Sequence, residues 1–115
     1  MSKVSPSGIT GNTSFGRMLN DRRVFDIARQ GIEILFERTG SEKHGLFTID
    51  LKEDENGKPL ITEVNVRHIA FTSCFAAAGA NLAEDSIRLL LDDNSFERDF
   101  KLYEFKEDFD FLKRC

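Results

Sequence analysis

Basic residues do not outnumber acids in this chain: 16 Lys plus Arg stand against 20 Asp plus Glu, giving a net charge of -4 and a pI near 5.2. Nucleic acid and anionic membranes are held by clustered Lys and Arg, so neither is an expected partner. No stretch approaches the roughly 20 apolar residues of a membrane span, and the N-terminus lacks the basic, apolar and cleavage regions of a secretory signal. A cytoplasmic location is therefore expected. The two cysteines, Cys74 and Cys115, have no metal-ligand spacing and no disulfide framework, so both are expected as free thiols, with Cys74 in the core. Internal repeats and heptads are absent. So is a Walker loop, because no Gly-Lys-Ser/Thr ending follows Gly8 and Gly11 in the first 16 residues.

What remains is a chain of 115 residues with 40% hydrophobic content, enough for one globular domain with a modest core. Residues 1–16 are dense in Gly, Ser, Thr and Asn and are expected to be a flexible loop. A helix is predicted over Arg22 to Arg38, with Asn20 or Asp21 as N-cap and Gly40 just past its end. Phe25, Ala28, Ile32, Leu35 and Phe36 recur at helical spacing, and Val24, Ile27 and Ile34 widen the stripe toward burial against a sheet. Gly31 costs roughly 1 kcal/mol of helix propensity relative to alanine, so a close approach of a packed neighbour is expected there.

Further on, Phe71 to Ala78 reads as a short buried helix ended by Gly79. A second helix begins at Asn81, where Glu84 three residues on resembles a capping box. Its expected inner stripe is Ala83, Ile87, Leu90 and Leu91, and Asp92-Asp93-Asn94 is expected to end it. The tail alternates aromatic and charged residues around Phe100, Leu102, Phe105, Phe109 and Phe111 and is read as two edge strands. Helices thus segregate from strands, which fits an α+β layer with helices packed on an antiparallel sheet.

The most informative segment lies between the helices. Leu46 to Lys52 and Leu60 to Val66 flank Asn56-Gly57, the strongest short-range hairpin signal. With these two residues at the tip of a type I′ turn, Asp50 meets Glu63, Thr48 meets Asn65 and Glu55 meets Lys58, with Arg67 following on the same face. The opposite face pairs Leu51 with Thr62, Ile49 with Val64 and Phe47 with Val66, at the period of two of a half-buried strand.

Two carboxylates directly opposite on a sheet repel. At about 5 Å and an effective dielectric of about 20 the cost is on the order of 3 kcal/mol. A hard divalent cation offsets it, since Mg²⁺ is usually held by one or two protein carboxylates while substrate phosphates and water complete its octahedron. Asn65 adds a neutral oxygen, and Arg67 adds a planar cation suited to phosphate or carboxylate. A solvated outer face, whose acids sit at high dielectric and cost little, is the open alternative. His44 in its loop reads as incidental, and His68 lies behind the site.

The segments GLFTIDL, PLITEVNVRH and AAGAN resemble the C-terminal portion of an ATP-grasp ligase, over roughly residues 8 to 92. The carbamoyl-phosphate synthase large chain and other carboxylate-amine ligases are the nearest members. That resemblance implies that Asp50 and Glu63 hold Mg²⁺ (or Mn²⁺) bridging the ATP phosphates, that Asn65 completes a second metal site, and that Arg67 faces the reacting phosphate or the substrate carboxylate. It also implies a partial ATP-grasp domain over residues 17–115, and an acyl phosphate formed from a carboxylate or bicarbonate for attack by an amine or ammonia. Phosphoryl transfer needs positioning and charge stabilisation more than a protein nucleophile.

Many relatives have proline between the Asn and the Arg, where this chain has Val66, so the strand is expected to continue. The family's glycine-rich flap, phosphate-binding lysines and adenine-binding linker precede the matching region and are not among these residues. No ligase activity is therefore expected from the chain alone, and an N-terminal segment or subunit would complete it. A noncatalytic interaction module on the same scaffold is the competing reading. A two-metal phosphohydrolase would need more ligands than one hairpin offers. A homodimer is the expected assembly, because a half-domain leaves a former interface exposed.

Overall fold

The computed structural model describes residues 1–4, 13, 15–91, 95, 103–105 and 109–112. Its elements run β1 (Ser2–Val4), β2 (Phe15–Arg17), α1 (Arg22–Thr39), β3 (Thr48–Glu53), β4 (Pro59–Asn65), α2 (Thr72–Ala77), α3 (Leu82–Leu90) and β5 (Asp110–Leu112). The α+β expectation holds, but the strands of the described residues form two antiparallel sheets rather than one. Order β1-β2-β5 makes one, and the β3–β4 ribbon makes the other.

Helix α1 forms where its caps allow. Asp21 sits in extended backbone and its carboxylate accepts from the Arg23 N–H at 3.0 Å, so an orphan donor of the first turn is satisfied. At the other end the Gly40 N–H closes on the Phe36 carbonyl at 2.9 Å. Ile32 and Phe36 are buried, with Phe36 edge-on to Phe47 of the ribbon at 5.2 Å. Leu35 and Ile34, expected in the inner stripe, instead lie toward solvent. A two-stranded ribbon is narrow and covers only one side of the helix.

Gly31 meets the ribbon as expected: a Cβ there would fall 2.3 Å from Ile61 Cδ1, so a larger residue would require the tip of the Ile61 side chain to turn aside. Arg23 ties the start of α1 to the hairpin, donating to the Gly57 carbonyl at 3.3 Å and lying 3.6 Å from Glu53. These exposed contacts orient the elements more than they stabilise them.

The stretch read as an N-terminal loop contains strands β1 and β2; Gly8 and Gly11 lie outside the described residues. Short polar-rich strands carry little periodic signal, and here the partner supplies the order. β5 pairs with β2, placing Phe15 opposite Leu112 and Gly16 opposite Phe111. The Phe111 ring lies over Gly16 and meets the buried Phe71 at 5.2 Å. Beyond β2 the pairing continues irregularly. Met18 N–H donates to the Phe109 carbonyl, and the Asn20 amide both donates to and accepts from the Phe105 backbone at 2.8 Å. Part of the tail is thus a strand as expected; Phe100, Leu102 and Cys115 lie outside the described residues. Cys74 is a free thiol, half-buried rather than fully in the core.

Helix α3 starts as its capping box predicts, the Asn81 side-chain Oδ1 accepting from the Glu84 N–H and its Nδ2 donating to the Glu84 carboxylate at 3.1 Å. Its orientation does not follow. Ala83, Ile87, Leu90 and Leu91 face solvent, while Leu82, Asp85, Ser86 and Leu89 are partly covered. Polar anchors decide this: the Tyr103 hydroxyl donates to the Asp85 carboxylate, and Ser86 Oγ lies 3.3 Å from His68 Nε2. The expected end of this helix at residues 92–94 lies outside the described residues.

Asp21 supplies a test. The Arg23 guanidinium bonded to it holds its carboxyl below the ordinary 3.8, with the Arg23 and Val24 backbone N–H groups adding to this and partial burial opposing it. A folded-state pKa below the unfolded one contributes stability that is complete above the ordinary value and is lost as pH falls below it. Asp21→Asn keeps the cap and removes the titration. Its melting temperature should fall less than the parent's between about pH 6 and about pH 3.

Candidate functional site

The hairpin positions the candidate site, and its closure differs from the expected one. The Gly57 N–H donates to the Asp54 carbonyl and the Asp54 N–H to the Lys58 carbonyl, both at 3.0 Å, with Gly57 at φ 75°. This is the three-residue loop in which a turn is followed by a left-handed residue. Asp54 replaces the expected two-residue tip because its Oδ1 accepts from the Asn56 and Lys58 N–H groups, each at 2.9 Å. Glu55 therefore does not pair with Lys58, and near the tip Glu53 meets Pro59, Lys52 meets Leu60 and Leu51 meets Ile61.

That register is one residue off the expected one, and uncorrected it would put Asp50 opposite Thr62. A β-bulge intervenes between Asp50 and Leu51, where Thr62 is the extra residue on β4. The Thr62 hydroxyl donates to the Asp50 carbonyl at 3.1 Å. Beyond the bulge Asp50 meets Glu63, Ile49 meets Val64 and Thr48 meets Asn65, as expected. The bulge also keeps both strands' apolar residues together, because Ile61 then shares the α1 side with Leu51, Ile49 and Val64. The expected Leu51 to Thr62 pair is lost to this shift.

Asp50, Glu63 and Asn65 therefore share the ribbon face away from α1. Asp50 and Asn65 are half-buried and Glu63 is exposed. Arg67 is less well aimed. The strand stops at Asn65 and does not continue through Val66, which is 74% exposed and unpaired with Phe47. Strand alternation thus no longer orients Arg67: its guanidinium donates to the His68 carbonyl at 3.3 Å, while the Thr48 hydroxyl donates to its backbone carbonyl at 3.3 Å. The Arg67 backbone is held beside the pair Thr48 and Asn65, within the long side chain's reach of that face. His68 serves as a link to α3, and His44 lies in an exposed loop.

Among the described residues, no three His, Cys, Asp or Glu side chains gather to hold an ion. Two carboxylates and an amide oxygen are an incomplete shell for a free cation, but they match the share that protein groups take when phosphates bring the remaining oxygens. The donor set is all oxygen, which suits Mg²⁺ or Mn²⁺ over softer metals.

On the other side of the ribbon a cavity of about 480 Å³ opens between α1, Phe47, Ile49, Leu51 and residues 103–105. Val24, Phe25 and Ala28 line it, and it is separated from the carboxylates by the sheet. Its walls are mainly apolar, an underfilled seam where α1 and the ribbon meet the tail. Among the described residues, no helix is long and apolar enough to cross a membrane. No family model, curated protein or solved structure matches this chain.

Cross-strand adjacency of Asp50 and Glu63 can be read by a double-mutant cycle. Asp50→Asn and Glu63→Gln, measured singly and together by urea unfolding without divalent ions, should show a repulsive coupling of about 0.5 to 1 kcal/mol. This is below the unscreened 3 kcal/mol because Glu63 faces water. Additive effects would mean that the two carboxylates do not face each other.

Proposed function

We propose that this chain is the metal-binding, C-terminal piece of an ATP-grasp carboxylate-amine ligase, resembling the carbamoyl-phosphate synthase large chain. The observation that carries the reading is the Asp50 and Glu63 pair on one ribbon face, with Asn65 two residues beyond. In this reading Asp50 and Glu63 would hold Mg²⁺ or Mn²⁺ brought with ATP, and Asn65 would offer a neutral oxygen to a second ion. When bound, the metal neutralises charge on the phosphoryl oxygens. Arg67 swings from the His68 carbonyl toward the reacting phosphate or the substrate carboxylate, where its planar fork matches two oxygens. The Thr62 bulge also fits, since such irregularities occur beside active sites and re-aim side chains.

An N-terminal segment or subunit supplies the other half of the nucleotide grip, so the chain by itself binds nucleotide weakly and turns none over. The carboxylate-type substrate, or bicarbonate, is activated as an acyl phosphate and captured by an amine or ammonia. The protein's part is to position and stabilise charge.

A second reading has its own support. The outward apolar residues of α3 favour a noncatalytic interaction module on an ATP-grasp-like scaffold. The two separate on metal dependence. Calorimetric titration with a nonhydrolysable ATP analogue should show weak binding that requires Mg²⁺ and disappears in Asp50→Ala. Binding that is indifferent to Mg²⁺, or that persists in Asp50→Ala, excludes the metal role assigned to this face. In an enzyme completed by its N-terminal part, Glu63→Gln should abolish ATP turnover; retained turnover excludes the role assigned to Glu63.

A further inference from the structure

Helix α3 partly covers Leu82 and Leu89 but turns its other apolar residues away from the core. Ile87 is 58% exposed, Leu90 74% and Leu91 76%, and Ala83 one turn before Ile87 is exposed as well. Spacings of three and four residues place these four on one stripe. Isolated exposed leucines are ordinary, whereas a contiguous apolar stripe on a helix marks a contact surface.

The charges beside the stripe select the partner. Glu84 and Arg88 lie one turn apart along the same flank. Glu84 is at the N-terminal end, where Asn81 holds its carboxylate, and Arg88 is in the last turn, where it donates to Ser95 Oγ at 3.1 Å. When two copies of this helix pack antiparallel about a two-fold axis, each flank meets its own counterpart running in reverse. Glu84 of one copy then comes beside Arg88 of the other, and the symmetric contact repeats the pairing. A parallel arrangement would lose this match. Antiparallel packing also opposes the two helix dipoles favourably.

We propose that the outward stripe of α3 is a homodimer interface, in which two copies pair antiparallel with Ile87 on the two-fold axis and Glu84 against Arg88 at each flank. Such an interface is isologous and closed, so it stops at two. Four small or medium side chains per copy fall short of the roughly 800 Å² per partner of a standard interface, so the contact belongs with weak, reversible associations. The assembly needs neither metal nor nucleotide, and its test is independent of the ligase reading.

Sedimentation equilibrium of the full chain without divalent ions should show a reversible monomer and dimer equilibrium, with half-dimerisation at about 10 to 100 µM. Leu90→Glu, on a solvent-facing position, should raise that dissociation constant at least about tenfold while leaving the circular dichroism unchanged. In a chain with Cys74→Ser and Cys115→Ser, Ile87→Cys should oxidise to a disulfide-linked dimer, because a residue on the axis faces its own copy. Cysteine placed instead at Thr62, on the exposed part of the ribbon, should cross-link far more slowly. A chain that stays monomeric to about 1 mM overturns the proposal. So does a dimer indifferent to Leu90→Glu, or an Ile87→Cys chain that cross-links no faster than the Thr62→Cys control.

Discussion

Two offsets of one residue, opposite in direction, govern the β3–β4 ribbon. Asp54 closes the turn with its own carboxylate and shifts the strands by one position. Thr62 bulges out of β4 and shifts them back. Side chains alternate with a strict period of two, so without the bulge the residues of β4 beyond it would present the wrong face to α1. With it, Ile61 and Val64 lie on the helix side together, and Glu63 and Asn65 lie on the other with Asp50. The packing of α1 and the placement of the carboxylates are two outcomes of this one register.

The electrostatics of the outer face follow from that constraint. Asp50 and Glu63 are brought together because the apolar residues on either side of them along the strands face α1, and Glu63 lies exposed to solvent. In the proposed reading this all-oxygen set would hold an ion whose remaining ligands are phosphate oxygens. Arg67 stands apart from this rigid arrangement, since it lies past the last strand residue and its side chain rests on the His68 carbonyl. A ligand oxygen can compete for that exposed hydrogen bond.

Few of the described residues are fully buried. The buried apolar residues among those described are Met18, Ile32, Phe36, Phe71, Ala78 and Ala80; Phe36 packs on Phe47 beside the ribbon and Phe71 on Phe111. Small sheets cannot cover both sides of their helices, so Leu35, Ile34 and the stripe of α3 remain outside. What distinguishes α3 is that polar anchors on Asp85 and Ser86 select which of its sides is turned out.

Local signals were legible without coordinates. The caps of α1 and α3, the close approach at Gly31, the hairpin, and the Asp50 and Glu63 pairing could all be read from residue type and spacing, because each depends on neighbours in the chain. The pairing came out right because two unseen offsets cancel. An Asp carboxylate bonding two turn amides and a bulge at a threonine leave no periodic trace. The path of the chain through Val66 and Arg67, the strands at Ser2–Val4 and Phe15–Arg17, and the outward face of α3 had no local signal either. Strand partners and helix faces are settled by distant groups: Phe111 over Gly16, Tyr103 on Asp85, His68 beside Ser86. The sequence by itself determined which elements form and where they are capped, through interactions a few residues long. Only the tertiary structure decided which sides they bury, because that depends on where a chain of this size runs out of apolar surface to cover them.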